Sequence, residues 1–291
     1  MPTKQCIIVA GPTAIGKTSE AIRLAKQFQT EIISADSRQC YSELNIGVAR
    51  PSAEELSEVK HHFIANHSIT ENITAASFEK EALSYLEEIF QKNDHAIVCG
   101  GTGLYIKALA EGLNQIPDIP LAVRQHVIEL HQQLGVEKLR AELLKYDPEF
   151  PLRGDINNAN RMMRALEVAM HTGNPISQYQ TGEKAKRDFT ISYVVMEMPR
   201  EQLYTRINDR VDNMISAGLE EEAKALIDYQ HLTALQTVGY KEFFDYFNGL
   251  TTKQEAIEKI KQHTRNYAKR QVTWFGKYAV NAERLALDAK R

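Results

Sequence analysis

The chain has 291 residues, with 35 Lys and Arg against 38 Asp and Glu, and is 43% hydrophobic and 25% charged. Those proportions exclude a disordered chain, a collagen-like repeat and a disulfide scaffold. A chain of this length suits one large domain or two smaller ones, and it buries about three quarters of its unfolded surface, enough to fold with neither metal nor disulfide. No apolar run approaches the ~18 residues of a membrane span. The segment Cys6-Ile7-Ile8-Val9-Ala10 behind Lys4 is too short for a signal-peptide core. Cys6, Cys40 and Cys99 are odd in number and form no CxxC pair, so reduced thiols in a cytoplasmic protein are expected. A net charge of −3 argues against a uniformly basic nucleic-acid binder but leaves room for a local basic patch.

Residues 5–10, QCIIVA, form a short apolar run that stops at Gly11, as a buried parallel strand does. From Lys17 the period changes, and Ala21, Ile22, Leu24, Ala25 and Phe28 fall at helical spacing. A second strand is expected over 31–35, ending at Asp36. A helix carrying Phe78, Ala82, Leu86, Ile89 and Phe90 then leads into a third strand at 95–99, which ends at Gly100-Gly101. Strands alternating with helices predict an α/β fold, a P-loop-type parallel sheet flanked by helices with right-handed crossovers. The rhythm breaks after Gly112. Residues 113–186 carry a Pro-bounded loop and two or three helical stretches, read as a helical insertion between core segments 1–112 and 187–291. A last strand is expected over 191–198, and everything after Pro199 reads as helix, including a stretch at 253–278.

Gly11-Pro12-Thr13-Ala14-Ile15-Gly16-Lys17-Thr18 matches G-x-x-x-x-G-K-[ST], with a strand before it and a helix after it. The glycines let successive backbone N–H groups converge on one point, and the new helix adds the positive end of its dipole. Lys17 supplies a point charge and Thr18 a hydroxyl suited to Mg²⁺. A phosphorylated ligand is therefore expected; by motif alone it could be a nucleotide such as ATP. The strand that ends at Cys99-Gly100 brings no acid to this loop. The one that ends at Asp36 does, and the carboxyl edge of an open α/β sheet is where ligands sit. Its strand is read as neighbouring the one that feeds the loop, although an Asp-Ser pair also suits a plain turn. Gly100-Gly101-Thr102-Gly103 opens a helix and reads on composition as a strand-to-helix turn, with a second polar contact as the alternative. Arg206 and Arg210 lie one helical turn apart, either on a solvated face or reaching an anion. His61-His62 is not a metal pair by spacing, since adjacent residues face different ways.

Several blocks together resemble the tRNA dimethylallyltransferase (isopentenyltransferase) family: GPTAIGKT at 11–18, ISADSRQCY at 33–41, NIGVARP at 45–51 and GGTGLYIKAL at 100–109. NRMMRALEV at 160–168, RVDNMISAGLEEE at 210–222, VGYKE at 238–242 and TRNYAKRQVTWF at 264–275 continue the family's order along nearly the whole chain. NIGVARP departs from the more usual DIGTAKP, so Val48 lacks a hydroxyl there. With no Cys/His zinc finger near the C-terminus, the likeness is to the bacterial form. The resemblance implies transfer of a dimethylallyl group from dimethylallyl diphosphate to N6 of the adenine just 3′ of the anticodon, position 37, with diphosphate as leaving group. It implies Asp36 as the base, with Thr102, Arg210 and Lys17 at the same centre, residues 11–18 on diphosphate, and Mg²⁺ held partly by Thr18.

For the nucleic acid, residues 253–278 carry seven basic residues against two acidic ones, interleaved with Tyr267, Trp274 and Phe275, a pattern suited to phosphate contact and base stacking. Trp274 and Phe275 are expected in the core; Lys269 and Arg270 are expected on RNA. Arg161 and Arg164 form a helical pair on the insertion, opposite a buried face of Met162, Leu166 and Ala169. By resemblance the tRNA anticodon stem-loop also meets Asp36, Ser37, Arg38 and Gln39, then Thr102, Arg124, Asn160 and Met163. Gln236, Thr237, Val238, Gly239, Tyr240, Lys241 and Gln271 follow on the same basis. A monomer is the simplest expectation. A small-molecule kinase, an adenylate dimethylallyltransferase and a non-catalytic RNA-binding protein are the alternatives.

Overall fold

The computed structural model describes residues 4–287. The chain divides into two compact units, one of residues 1–111 and 186–291 and one of residues 112–185. Among the described residues no helix is long and apolar enough to cross a membrane.

In chain order the first unit opens with β1 (Gln5–Ala10), α1 (Lys17–Phe28), β2 (Ile32–Ser34), α2 (Ala53–Glu58) and β3 (His61–His62). It continues with α3 (Ala75–Phe90), β4 (His95–Gly100) and α4 (Gly103–Glu111). The second unit holds α5 (Leu121–Tyr146), α6 (Phe150–Arg153) and α7 (Ala159–Thr172). The first unit resumes with β5 (Thr190–Glu197), α8 (Arg200–Ser216), α9 (Leu219–Ala225), α10 (Tyr240–Phe247), α11 (Lys253–Tyr278) and β6 (Glu283–Ala286).

The strands form one parallel sheet in the order β3-β2-β4-β1-β5-β6. Successive side chains on a strand face opposite ways, and the core divides accordingly. Cys6, Ile8 and Ala10 of β1 join Ile33, Val98 and Val195 on one face, beneath Phe78, Leu86, Ile106 and Phe275. Ile7 and Val9 join Ile32, Ile97, Val194 and Met196 on the other, beneath Ala21, Leu24, Leu203 and Ile207. That double burial is why the strands read as continuous apolar runs.

Two expectations change. β4 lies between β1 and β2, so the Asp36 turn is two strands from the phosphate loop rather than next to it. At ~4.8 Å per strand that is a reach of roughly 10 Å. The segment after Pro199 is not all helix: β6 pairs with β5, and Arg284 Nη1 bonds Glu197 Oε1 at 2.6 Å. β6 is an edge strand with three of its four residues exposed, so it carries no apolar run. β3, only two residues long, carries none either.

In the second unit, Val127, Leu139 and Leu143 of α5 pack with Met162, Leu166 and Val168 of α7. Gly135 breaks α5 with φ 75° and ψ 178°, so the segment is two helical pieces. The Asn158 side chain caps α7 by accepting the Arg161 N–H at 3.2 Å.

Candidate active site at the carboxyl edge of the sheet

The loop after β1 turns through a positive φ at Ala14 (64°) and Gly16 (101°) before α1 begins. An L side chain resists that region and glycine does not, which accounts for Gly16 at the helix entry. Lys17 folds back over the loop, its Nζ donating to Pro12 O at 2.8 Å. Burial, with Arg210 adding to it and Cys99 and Asp36 opposing it, lowers its pKa to about 8. The Arg210 Nη1 donates to Thr13 Oγ1 at 3.2 Å, and burial lowers its pKa too. Two cations beside a helix N-terminus and a glycine loop make a setting suited to an anion.

Two further loops end beside it. Asp36 sits in a tight turn, its Oδ1 accepting the N–H of Arg38 at 2.9 Å and of Gln39 at 3.3 Å. The turn chemistry foreseen for an Asp-Ser pair is thus present, and it engages one oxygen of the carboxylate. Thr102 does not use its hydroxyl to cap α4. Its Oγ1 accepts the N–H of Ser37 at 3.1 Å. Tyr267 comes from α11; burial, then the Asp36 charge, push its pKa up to about 12, so it is a neutral hydrogen-bonding group.

Gln271, one turn on from Tyr267, locks these loops together. Its Oε1 accepts the Thr13 N–H at 2.8 Å and its Nε2 donates to Gly101 O at 2.9 Å. A Cβ at Gly101 would stand 2.2 Å from Nε2, so this approach needs glycine. Gln271 is 5% exposed and both ends of its amide are engaged within the protein. Expected from the family blocks as an RNA contact, its side chain is placed as a strut between the phosphate loop and the Thr102 loop.

The loops enclose two adjoining cavities. The polar one, about 500 Å³, is lined by Lys17, Thr18, Glu55, Arg206, Asp209 and Arg210 among others. The smaller, about 200 Å³, has an apolar wall of Val48, Val211, Met214, Val238 and Ile260. Asp36, Thr13, Arg210 and Tyr267 line both, so the carboxylate stands at the junction of an anion site and an apolar pocket.

Of the other expected residues, Ser37, Arg38, Thr237, Val238 and Gly239 line the smaller cavity and Gln39 the larger. Gly11, Pro12 and Ile15 are buried in the loop itself. Tyr240 is fully buried, whereas Gln236 and Lys241 are exposed. Lys269 and Arg270 are exposed on α11 and line a groove with Lys107, Trp274 and Lys277. In the second unit, Asn160, Arg161 and Arg124 are exposed, Met163 is half-buried and Met162 is buried. Arg124 and Arg164 flank the buried Glu167 carboxylate, at 3.7 and 3.2 Å. Glu55 and Asp209 had no motif to announce them; Glu222 closes the block RVDNMISAGLEEE and Tyr267 stands inside TRNYAKRQVTWF, but neither block gives the side chain a place at this site.

Among the described residues no group of three or more His, Cys, Asp or Glu is placed to hold a metal ion. Mg²⁺ typically binds one or two protein oxygens and completes its shell with substrate phosphates and water. Thr18, with Asp36, Glu55 and Asp209 on the same wall, fits that donor set.

A loop of the form G-x-x-x-x-G-K-[ST], opening on a polar cavity that meets an apolar pocket at a single carboxylate, has the make-up of a group-transfer site. The family model described as IPP transferase matches residues 39–278, and the chain belongs to that family. A tRNA dimethylallyltransferase from Cytophaga hutchinsonii is 46% identical over 276 residues, covering 95% of this chain and 91% of that one. One from Flavobacterium johnsoniae is 46% identical over 278 residues, covering 94% and 90%. The crystal structure of the full-length tRNA isopentenylpyrophosphate transferase of Bacillus halodurans is similar with TM-score 0.71 at 35% identity, covering 98% of this chain and 92% of that one. A eukaryotic dimethylallyltransferase acting on tRNA aligns with TM-score 0.81 at 28% identity, over 99% of this chain and 74% of that one.

Proposed function

We propose that this protein transfers a dimethylallyl group from dimethylallyl diphosphate to N6 of the adenine at tRNA position 37, releasing diphosphate. The observation that carries the reading is the position of Asp36 at the junction of the two cavities. The diphosphate lies against the loop amides, Lys17 and Arg210, and the isoprenoid chain leads from it into the apolar cavity. The purine, extruded from its stack, brings N6 to Asp36.

The amine of adenine is a poor nucleophile because its lone pair is delocalised into the ring. As the N6–carbon bond forms and the carbon–oxygen bond to diphosphate breaks, the carboxylate of Asp36 accepts the N6 proton. The negative charge that develops on the leaving oxygens meets donors already fixed in place, and a donor of this type typically contributes ~10²–10³ in rate. Thr102, accepting the Ser37 amide, holds the Asp36 turn, and Tyr267 offers a hydroxyl at the junction. Mg²⁺, with Thr18 as the protein oxygen, would neutralise charge on the diphosphate. Arg161, Arg164, Lys269 and Arg270 supply phosphate contacts to the anticodon stem-loop.

Labelled dimethylallyl diphosphate offered separately with tRNA, AMP and ATP tests the reading. Label is expected on tRNA. Label on AMP or ATP instead would make a free nucleotide the acceptor, and label on none would refute the transfer.

A further inference from the structure

Glu222, in α9, has both carboxylate oxygens engaged. Oε2 accepts the backbone N–H of Asn45 at 3.2 Å and of Ile46 at 2.8 Å. Oε1 accepts the N–H of Gly47 at 3.0 Å and the phenol of Tyr240 at 2.6 Å. Three successive amides around one anion make a nest, and bonds to an ionised acceptor are about twice as strong as neutral ones. The Tyr240 phenol remains a donor, because burial and the carboxylate both raise its pKa. Its ring closes the loop from the other side: a Cβ at Gly47 would meet Tyr240 Cζ at 2.6 Å.

The far end of the same loop is also tied. Gln39 Nε2 donates to Ala49 O at 3.0 Å and Val48 O at 3.3 Å. Arg50, which also lines the polar cavity, donates through Nη2 to the carbonyls of Tyr41, Ser42 and Leu44. Ala49 is held at φ 46°, a region a non-glycine residue keeps only where its surroundings impose it. Gly47, Val48 and Ala49 line the smaller cavity beside Asp36. Val48 and Ala49 line the polar cavity as well, with Gln39 and Arg50, whereas Gly47 lines only the smaller one, so the end of the loop that Glu222 holds bears on the apolar pocket.

We propose that Glu222 is a positioning residue for the transfer reaction, its carboxylate holding Gly47–Ala49 as the wall against which the donor's isoprenoid chain rests. This rests on the prenyl-transfer reading above. Glu222 touches no reacting atom in this arrangement. It acts through the loop, and its removal loosens the grip on the isoprenoid chain while leaving the proton acceptor and the anion site in place.

The test is Glu222→Gln, with Tyr240→Phe and Val48→Ala beside it. Glu222→Gln keeps the size of the side chain but replaces an anion that accepts four bonds with a neutral amide. Amide hydrogen exchange at Asn45, Ile46 and Gly47 should quicken at least about tenfold, a local opening of the kind exchange reads residue by residue. KM for dimethylallyl diphosphate should rise about tenfold with kcat within about threefold, the pattern of lost ground-state and transition-state binding alike. Tyr240→Phe, which keeps the three amide bonds, should move both readings less. Val48→Ala leaves the clamp intact and widens the pocket, so kcat/KM for geranyl diphosphate should rise relative to dimethylallyl diphosphate. Unchanged exchange in Glu222→Gln would overturn the clamp, and faster exchange with unchanged KM would overturn its role toward the donor. Should Glu222→Gln not fold, Val48→Ala decides, and an unchanged donor preference overturns the proposal. Failure of the wild-type enzyme to transfer dimethylallyl would instead refute the underlying reading, so the two failures are distinguishable.

Discussion

Replacement of Asp36 separates chemistry from structure, because the carboxylate does two things. Oδ1 accepts two backbone N–H bonds that hold the turn, and the group as a whole lines both cavities. Asp36→Asn keeps an oxygen for the two turn bonds but removes the proton acceptor. General-base catalysis contributes roughly 10²–10⁴, so kcat should fall by that factor while tRNA affinity and melting temperature stay near those of the wild type. Asp36→Ala removes the turn bonds as well. At about 0.5–1.5 kcal/mol for each lost bond, it should lose a further ~1–3 kcal/mol of stability, with turnover abolished and tRNA still bound. The assay is single-turnover prenyl transfer at saturating donor, paired with thermal unfolding. Near-normal turnover in Asp36→Asn, with Asp36→Ala impaired only in proportion to its instability, would make Asp36 a turn residue and refute the base role.

On the proposed reading Lys17, whose pKa burial lowers to about 8 in the free enzyme, binds diphosphate as the cation. Below pH 8 it is protonated, so kcat/KM for the prenyl donor should fall as pH rises through about 8, and a profile flat to pH 9.5 would exclude it. Arg210→Ala should reduce kcat more than Arg206→Ala, because Arg210 is bonded to Thr13 and lines both cavities; equal small losses in steady-state kinetics would return both to a solvated face. Gln271→Leu leaves the half-buried Thr13 N–H and the buried Gly101 O without their protein partner. At ~1–3 kcal/mol each, the melting temperature and donor affinity should both fall, with tRNA affinity changing least; selective loss of tRNA binding would mark Gln271 as an RNA contact. Lys269→Ala and Arg270→Ala should each lower the slope of log affinity against log salt by about one. Slopes unchanged from the wild type would take these residues off the phosphate track.

The parts of the site legible in the sequence are those whose signal is local. The phosphate loop is eight contiguous residues between a strand and a helix. α11 was readable because its apolar positions recur at helical spacing, and it begins at the capping pair Thr252 and Glu255. The second strand's tip identified Asp36, because ligands collect at the carboxyl edge, yet strand order is non-local and the interposed β4 could not be read. Glu222 and its loop stand 175 to 177 residues apart, and a glutamate in a run of three glutamates looks like a solvated helix face. Gln271 stood in a block read as RNA-facing; only the packing of α11 against the two loops shows its amide turned inward. Arg50 kept the positive charge of its motif but is bonded to three carbonyls, an outcome that composition cannot foretell. β6 failed for the opposite reason, being exposed and lacking any period.

The central claim is that the loop around Lys17 grips a departing diphosphate while Asp36 reaches the purine amine. A crystal structure of the enzyme with a non-transferable thiolo analogue of the donor and an anticodon stem-loop tests it most directly. The expected result has the diphosphate oxygens within hydrogen-bond distance of the 14–18 amides, Lys17 and Arg210, the isoprenoid chain against Val48, and N6 of the extruded adenine on Asp36. A nucleoside triphosphate held in the loop, with the analogue unable to displace it, or N6 bonded elsewhere with Asp36 facing only its own turn, would contradict the account.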